Sequence, residues 1–146
     1  MKTIILFLFT SLVVGGITAQ KISADTDSWK IVHNRNLMLH TSVENSKKNV
    51  ISIKIADLKK SGYLWVNYTE VNKQKGWRRV IALVDDKENE LLKRGGNLFK
   101  VTNPHLRSIA NHIKTIHIYT WALPTDPKVA ATVRIRRVHL CTVVLK

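Results

Sequence analysis

The chain has 146 residues, 24 Lys and Arg against 10 Asp and Glu for a net charge of +14, and a single Cys. One cysteine excludes an internal disulfide framework. The length predicts one domain, large enough to bury about two thirds of its unfolded surface without staples. The charge attracts polyanions and speeds encounter with them, but does not choose among them.

Lys2 opens the chain, an apolar run from Ile4 to Val14 follows, broken only by Thr10 and Ser11, and Gly15-Gly16-Ile17-Thr18-Ala19 closes it. This is the three-part layout of a secretory signal peptide cleaved near Ala19. The run is shorter than the roughly 20 residues a bilayer-crossing helix needs, so no membrane span is expected in the mature chain. Residues 1–19 are therefore expected to be the leader, and 20–146 a single secreted or periplasmic domain. Lys2 is the only charge the leader removes, which leaves +13. The excess lies late in the chain, where residues 75–146 hold 14 basic and 5 acidic groups. Outside the cytoplasm the polyanions available are acidic polysaccharide, lipid-linked phosphate and extracellular DNA. Binding to nucleic acid through charge alone would be non-specific.

The hydrophobic period is close to two almost throughout, which predicts strands. Trp29, Ile31 and His33 alternate, then Leu37 and Leu39. Across Asn49–Ile55, Ile51, Ile53 and Ile55 share a face while Ser52 and Lys54 point away. Tyr63–Val71 places Leu64, Val66 and Tyr68 on one face, with Tyr63, Trp65, Asn67 and Thr69 on the other. Asn72–Gly76 reads as a hairpin loop and Trp77–Val84 as the returning strand. Asp85–Glu90 is a solvated turn, Leu91–Arg94 a helical turn stopped by Gly95-Gly96, and Leu98–Val101 a short strand. Pro104 marks a loop, and Leu106–His112 fits a helical turn or a strand equally. Ile113–Leu123 is rich in β-branched and aromatic residues and predicts a strong strand. The Pro124–Pro127 turn follows. Thr132–Leu145 reads as a long last strand whose apolar parity slips at Arg136-Arg137, through a β-bulge or a bend. Eight or nine short strands with little helix predict an all-β, antiparallel β-sandwich, either jelly-roll or immunoglobulin-like.

Catalytic constellations are poorly supplied. The six histidines include no His-x-His or His-x-x-x-His pair, so no metal is expected. Most acidic residues fall in predicted turns rather than on a rigid frame that would fix a carboxylate pair. No cofactor motif is present. Cys141 lies in an apolar run and reads as a buried small hydrophobe. Asn67-Tyr68-Thr69 is an N-glycosylation sequon within a predicted strand.

Binding signals are better developed. If Ile116 and Ile118 face the core, the opposite face of that strand displays His117, Tyr119 and Trp121 in a row. Flat aromatic faces suit stacking against sugar rings or bases, and Trp65 offers a similar surface. Arg134, Arg136 and Arg137, together with Arg78 and Arg79, supply guanidinium groups for bidentate capture of carboxylate, sulfate or phosphate. On a strand, Arg134 and Arg136 would share a face about 7 Å apart. The expected function is an exported, non-catalytic binding module that recognises anionic or neutral glycan through a sheet face. The expected ligand-binding residues are Trp65, His117, Tyr119, Trp121, Arg134, Arg136 and Arg137. A structural or interaction subunit that meets an envelope protein, and a small secreted hydrolase, are the alternatives.

Overall fold

The structure is a computed structural model that describes residues 25–146; the leader expected at 1–19 lies outside them. The strands in chain order are β1 (Ser28–His33), β2 (Asn36–Thr41), β3 (Val50–Ile53), β4 (Tyr63–Thr69), β5 (Trp77–Val84), β6 (Glu90–Gly95), β7 (Leu98–Thr102), β8 (Thr115–Pro124) and β9 (Val138–Leu145). One sheet has four strands in the order β2-β1-β4-β7, and the other has five in the order β3-β9-β8-β5-β6. The fold is thus an all-β sandwich. Every pairing is antiparallel except β3 with β9, which is parallel.

Period two decides which residues meet between the sheets. Ile31, Leu64, Val66 and Phe99 of the four-stranded sheet face Ile81, Leu83, Ile116, Ile118 and Val143 of the other, all fully buried. Each such side chain contributes about 1.5–3 kcal/mol relative to exposure. Cys141 belongs to this core as expected, and burial pushes its thiol up to about 12. The β1–β2 hairpin turns on Asn34 (φ 49°) and Arg35 (φ 72°), the left-handed pair that matches strand twist.

Several local expectations are corrected by the tertiary context. Asn72–Gly76 is not a hairpin loop. It crosses between sheets, because β4 is already paired on both edges by β1 and β7 while β5 pairs with β6 and β8. Leu91–Arg94 is not a helical turn but lies within β6, hydrogen-bonded to β5. Pro104 does not mark a loop; it sits in the first turn of helix α1 (Asn103–Ala110), where its missing N–H has no partner to lose. α1 buries Leu106 and Ala110 and packs on the short 3₁₀ segment Ile55–Lys59.

The last strand is shorter than Thr132–Leu145. Helix α2 (Pro127–Ala130) is followed by an irregular segment, and β9 begins only at Val138. The parity slip is real but lies further on. β9 carries the extra residue, Leu140, opposite the Ile118–Tyr119 step. That bulge lets both Leu140 and Cys141 reach the core. Arg134 and Arg136 are therefore not on a strand and do not share a strand face.

Candidate binding site

Along β8, Ile116, Ile118 and Thr120 are fully buried, which turns His117, Tyr119 and Trp121 onto the outer face of the five-stranded sheet. The pairings place Val84 beside His117, Ala82 beside Tyr119 and Val80 beside Trp121. The result is a second, small apolar cluster of Val80, Ala82, Val84 and Trp121, packed against Tyr119, Leu123 and Ile135. The irregular segment before β9 supplies Ile135, so the aromatic row is partly roofed. Trp121 keeps only 9% of its surface exposed. The Arg137 guanidinium stands 4.5 Å from the Tyr119 ring centre and 5.4 Å from that of Trp121. This cation-π stack fixes the pair and takes up ring surface on the open outer face of the sheet.

The seven expected residues divide. Tyr119, Trp121 and Arg137 are brought together, with His117 on the same face. Arg136 lies in the irregular segment two residues before β9, where its Nη2 donates to Glu44 Oε2 at 2.6 Å. Arg134 is exposed and makes no hydrogen bond or ion pair among the described residues. Trp65 does not join them. It pairs with Val32 and Lys100 on the outer face of the four-stranded sheet, on the opposite side of the sandwich.

Trp121 and Arg136 instead line a cleft of about 410 Å³ between the sheets at one end of the sandwich. Its walls include Trp29, Tyr68, Asp27, Glu44 and Arg79. Trp29 and Tyr68 are nearly parallel at 4°, with ring centres 6.1 Å apart, and Arg79 lies 4.1 Å over the Tyr68 ring. Arg79 Nη2 pairs with Glu70 at 2.5 Å, while Tyr68 donates to Asp27 Oδ2 at 2.8 Å. Burial and that bond push the Tyr68 hydroxyl well above its ordinary range, so it stays protonated. Glu44 ties the cleft to β9 by also accepting the His139 backbone N–H at 2.8 Å. The sequence marks Trp29 and Tyr68 as core by parity, and gives no sign that the loop carboxylates Asp27 and Glu44 converge there.

At the other end of the outer face, hydrogen bonds connect Asp86, His117, Thr142 and His139. Asp86 Oδ1 is 2.9 Å from His117 Nε2, and His117 Nδ1 is 3.1 Å from Thr142 Oγ1, which is 3.0 Å from His139 Nε2. A carboxylate only accepts, so His117 Nε2 donates to it. With both rings neutral, Thr142 donates to His117 Nδ1 and His139 Nε2 donates to Thr142. This leaves His139 Nδ1 as a bare nitrogen, buried and without a partner. Protonating it would place an uncompensated N–H inside the protein. Burial first, and the nearby His117 second, hold the His139 pKa below 6.5, with Glu44 opposing.

A depressed imidazole pKa means that the unfolded chain takes up the proton first. Its contribution is therefore complete above pH 6.5 and is lost as pH falls below it. Thermal unfolding followed between pH 7 and 5 is expected to show a falling midpoint, and His139→Asn is expected to flatten that slope. An equal slope in both proteins would remove His139 as the cause.

A hydroxyl–imidazole–carboxylate chain is also the connectivity of an activated nucleophile. Here the Thr142 oxygen already accepts from His139, Asp86 is 65% exposed, and Thr142 lies outside the end cleft. Among the described residues no group of three or more His, Cys, Asp or Glu is placed to hold a metal ion, and no helix is long and apolar enough to cross a membrane. Comparison with protein-family models, curated proteins and solved structures finds no match. The functional reading rests on the geometry of the cleft.

Proposed function

We propose that this protein is an exported, non-catalytic module that binds glycan in the end cleft. The observation that carries the reading is the joining of aromatic rings, each showing a small part of its surface, with oriented ionic groups in one opening. Trp29, Tyr68 and Trp121 are lined up there with Asp27, Glu44, Arg79 and Arg136. A pyranose ring has apolar C–H faces and a rim of hydroxyls that both donate and accept. Aromatic rings match the faces, and carboxylates and guanidiniums match the hydroxyls with charge-assisted bonds. Each ionic group in the cleft is already held by a neighbour, which reduces the ordering cost of binding. The cleft volume lies within the roughly 300–1,000 Å³ usual for ligand sites. Export rests on the leader-like segment 1–19 and keeps the secreted or periplasmic assignment a part of this proposal.

Relative to the sequence-based expectation, the site moves from the open sheet face to the sandwich end. Trp121 and Arg136 are retained; Trp65 and Arg134 have no place in it. The test is titration calorimetry against neutral and acidic oligosaccharides. Trp121→Ala and Arg136→Ala are each expected to weaken binding about tenfold, the loss of one packing surface or one charged hydrogen bond. Unchanged binding in both would end the glycan reading.

One observation favours the interaction-subunit alternative. Leu37 and Leu98 are 59% and 55% exposed and share the outer face of the four-stranded sheet with Val32 and Trp65. Lys30 and Lys100 interrupt that face, so it is not one apolar patch. Salt-insensitive association with no glycan bound would favour the alternative.

A further inference from the structure

A pocket of about 320 Å³ opens at the other end of the sandwich, where β1 ends and β4 begins. Its lining is the β1–β2 turn, Asn34 and Arg35, and the approach to β4, Ser61, Gly62 and Tyr63. The Asn34 N–H donates to the Tyr63 carbonyl at 3.1 Å, which holds the turn beside that segment. Gly62 permits the close approach, since a Cβ there would overlap Asn34 Oδ1. That oxygen is in turn held by Asn103 Nδ2 at 3.0 Å, so this side of the pocket is fixed from within the core.

The turn has the sequence Asn-Arg. A two-residue turn of this kind needs positive φ at both central positions, which suits Asn followed by Gly. Arg35 instead holds φ 72°, where a Cβ crowds the following carbonyl oxygen and a glycine would not. Its side chain makes no contact that offsets this. Arg35 is exposed and has no hydrogen bond, ion pair or ring contact among the described residues. Backbone strain that no contact offsets is a mark of functional sites.

The rest of the lining has the same character. Ser61 is exposed, and neither its N–H nor its hydroxyl has a protein partner among the described residues. No carboxylate lines the pocket. Residues 54–63 hold Lys54, Lys59 and Lys60 against Asp57 alone, and Asp57 is taken by Lys60 at 3.5 Å. Beside the pocket, Lys100 rests on the Tyr63 ring with Nζ 3.5 Å from its centre, and it has no acidic partner among the described residues. Uncommitted donors and positive charge around a space without a competing carboxylate are the complement of an oxyanion. We propose that this pocket binds a phosphate group, with the Arg35 guanidinium gripping it bidentately and Ser61 donating to it. The site is independent of the glycan reading, which concerns the opposite end of the sandwich.

The test is an amide NMR titration of the full-length chain with inorganic phosphate and, separately, with glycerol phosphate. Ionic strength is held at about 0.15 M with chloride, so that general screening stays constant. Inorganic phosphate is expected to shift the Ser61 and Gly62 amide signals saturably, with half-saturation at about 1 mM. An equal response to glycerol phosphate assigns the free ion as the ligand, and a response about tenfold tighter assigns a phosphate ester on a larger molecule. Arg35→Gly is expected to weaken binding about tenfold, through loss of a charge-assisted pair, and to raise the thermal midpoint by about 2 °C, because the turn relaxes. Opposite movements from one substitution separate a binding arginine from a structural one. A midpoint that falls in Arg35→Gly overturns the proposal, since Arg35 then serves the turn. Phosphate binding that survives the substitution overturns it too, as do unsaturable shifts spread over the lysine-rich surface, which mark screening only. The glycan reading stands in each of these cases, and its own failure leaves the phosphate site untouched.

Discussion

Glu70→Ala is expected to destabilise the protein by about 3–5 kcal/mol, the cost of leaving one partner of a buried ion pair alone. The Glu70 and Arg79 side chains are only 13% and 8% exposed. Arg79 lies on the Tyr68 ring and its Nη1 reaches Thr120 at 3.4 Å, a long bond that offsets little charge. Its Nε is buried with no partner. Without Glu70 the guanidinium is left with a neutral ring and a hydroxyl, and it must drag water into the sandwich end or leave the cleft wall. Whole domains of this size are stable by only about 5–15 kcal/mol, so the variant should sit close to unfolding at 37 °C. Urea unfolding measures this directly. Glu70→Leu/Arg79→Met, which removes both charges and keeps the volume, is expected to recover most of the loss. If Glu70→Ala costs under about 1 kcal/mol, the pair behaves like a surface salt bridge and water reaches it. The double variant also separates stability from binding, since it restores the fold but removes a cleft guanidinium.

Asn103→Leu is the second large effect, expected at roughly 2–5 kcal/mol, from several buried groups losing their partners at once. Asn103 is completely buried. Its Nδ2 donates to the Lys60 carbonyl and to Asn34 Oδ1, both at 3.0 Å, with the Asp57 carbonyl at 3.4 Å. Those acceptors orient the amide, so Oδ1 is left to accept from His33 Nε2 at 3.1 Å. One side chain thus holds together the end of β1, its hairpin turn, the 3₁₀ segment and the start of α1. Leucine has nearly the same volume, so the loss is in hydrogen bonding rather than in a cavity. The midpoint in urea should fall with little change in slope. Amide exchange should quicken first in residues 55–60 and in α1, which rest on this residue. An exchange pattern unchanged there, with a full loss of stability, would contradict the hub role. Gly62 belongs to the same knot. A Cβ at that position would collide with Asn34 Oδ1, the acceptor that Asn103 holds, and this explains a glycine just before β4.

Alternation alone determined the sandwich and its inner faces. Ile31, Leu64, Val66, Ile116 and Ile118 recur at every second position and must turn the same way, so parity predicted their burial without knowledge of the partner strand. Once Ile116 and Ile118 are inward, the same parity turns His117, Tyr119 and Trp121 outward, and the structure decided that choice of face. What parity cannot carry is which strand pairs with which. Local composition favoured a hairpin at Asn72–Gly76 and a helical turn at Leu91–Arg94. Pairing at the edges of β4 and β5 overrode both, because hydrogen bonds to a neighbouring strand outweigh weak local propensities. The same limit applies to the site. Trp65 and Trp121 look alike in sequence, yet they lie on opposite sides of the sandwich. Asp27, Glu44, Trp29, Tyr68, Arg79 and Arg136 are spread over much of the chain and meet only because the two sheets stack and the ends of β1, β8 and β9 converge. The residue types and their facing were written locally. The cleft is a property of the stacking, and only the tertiary structure decided it.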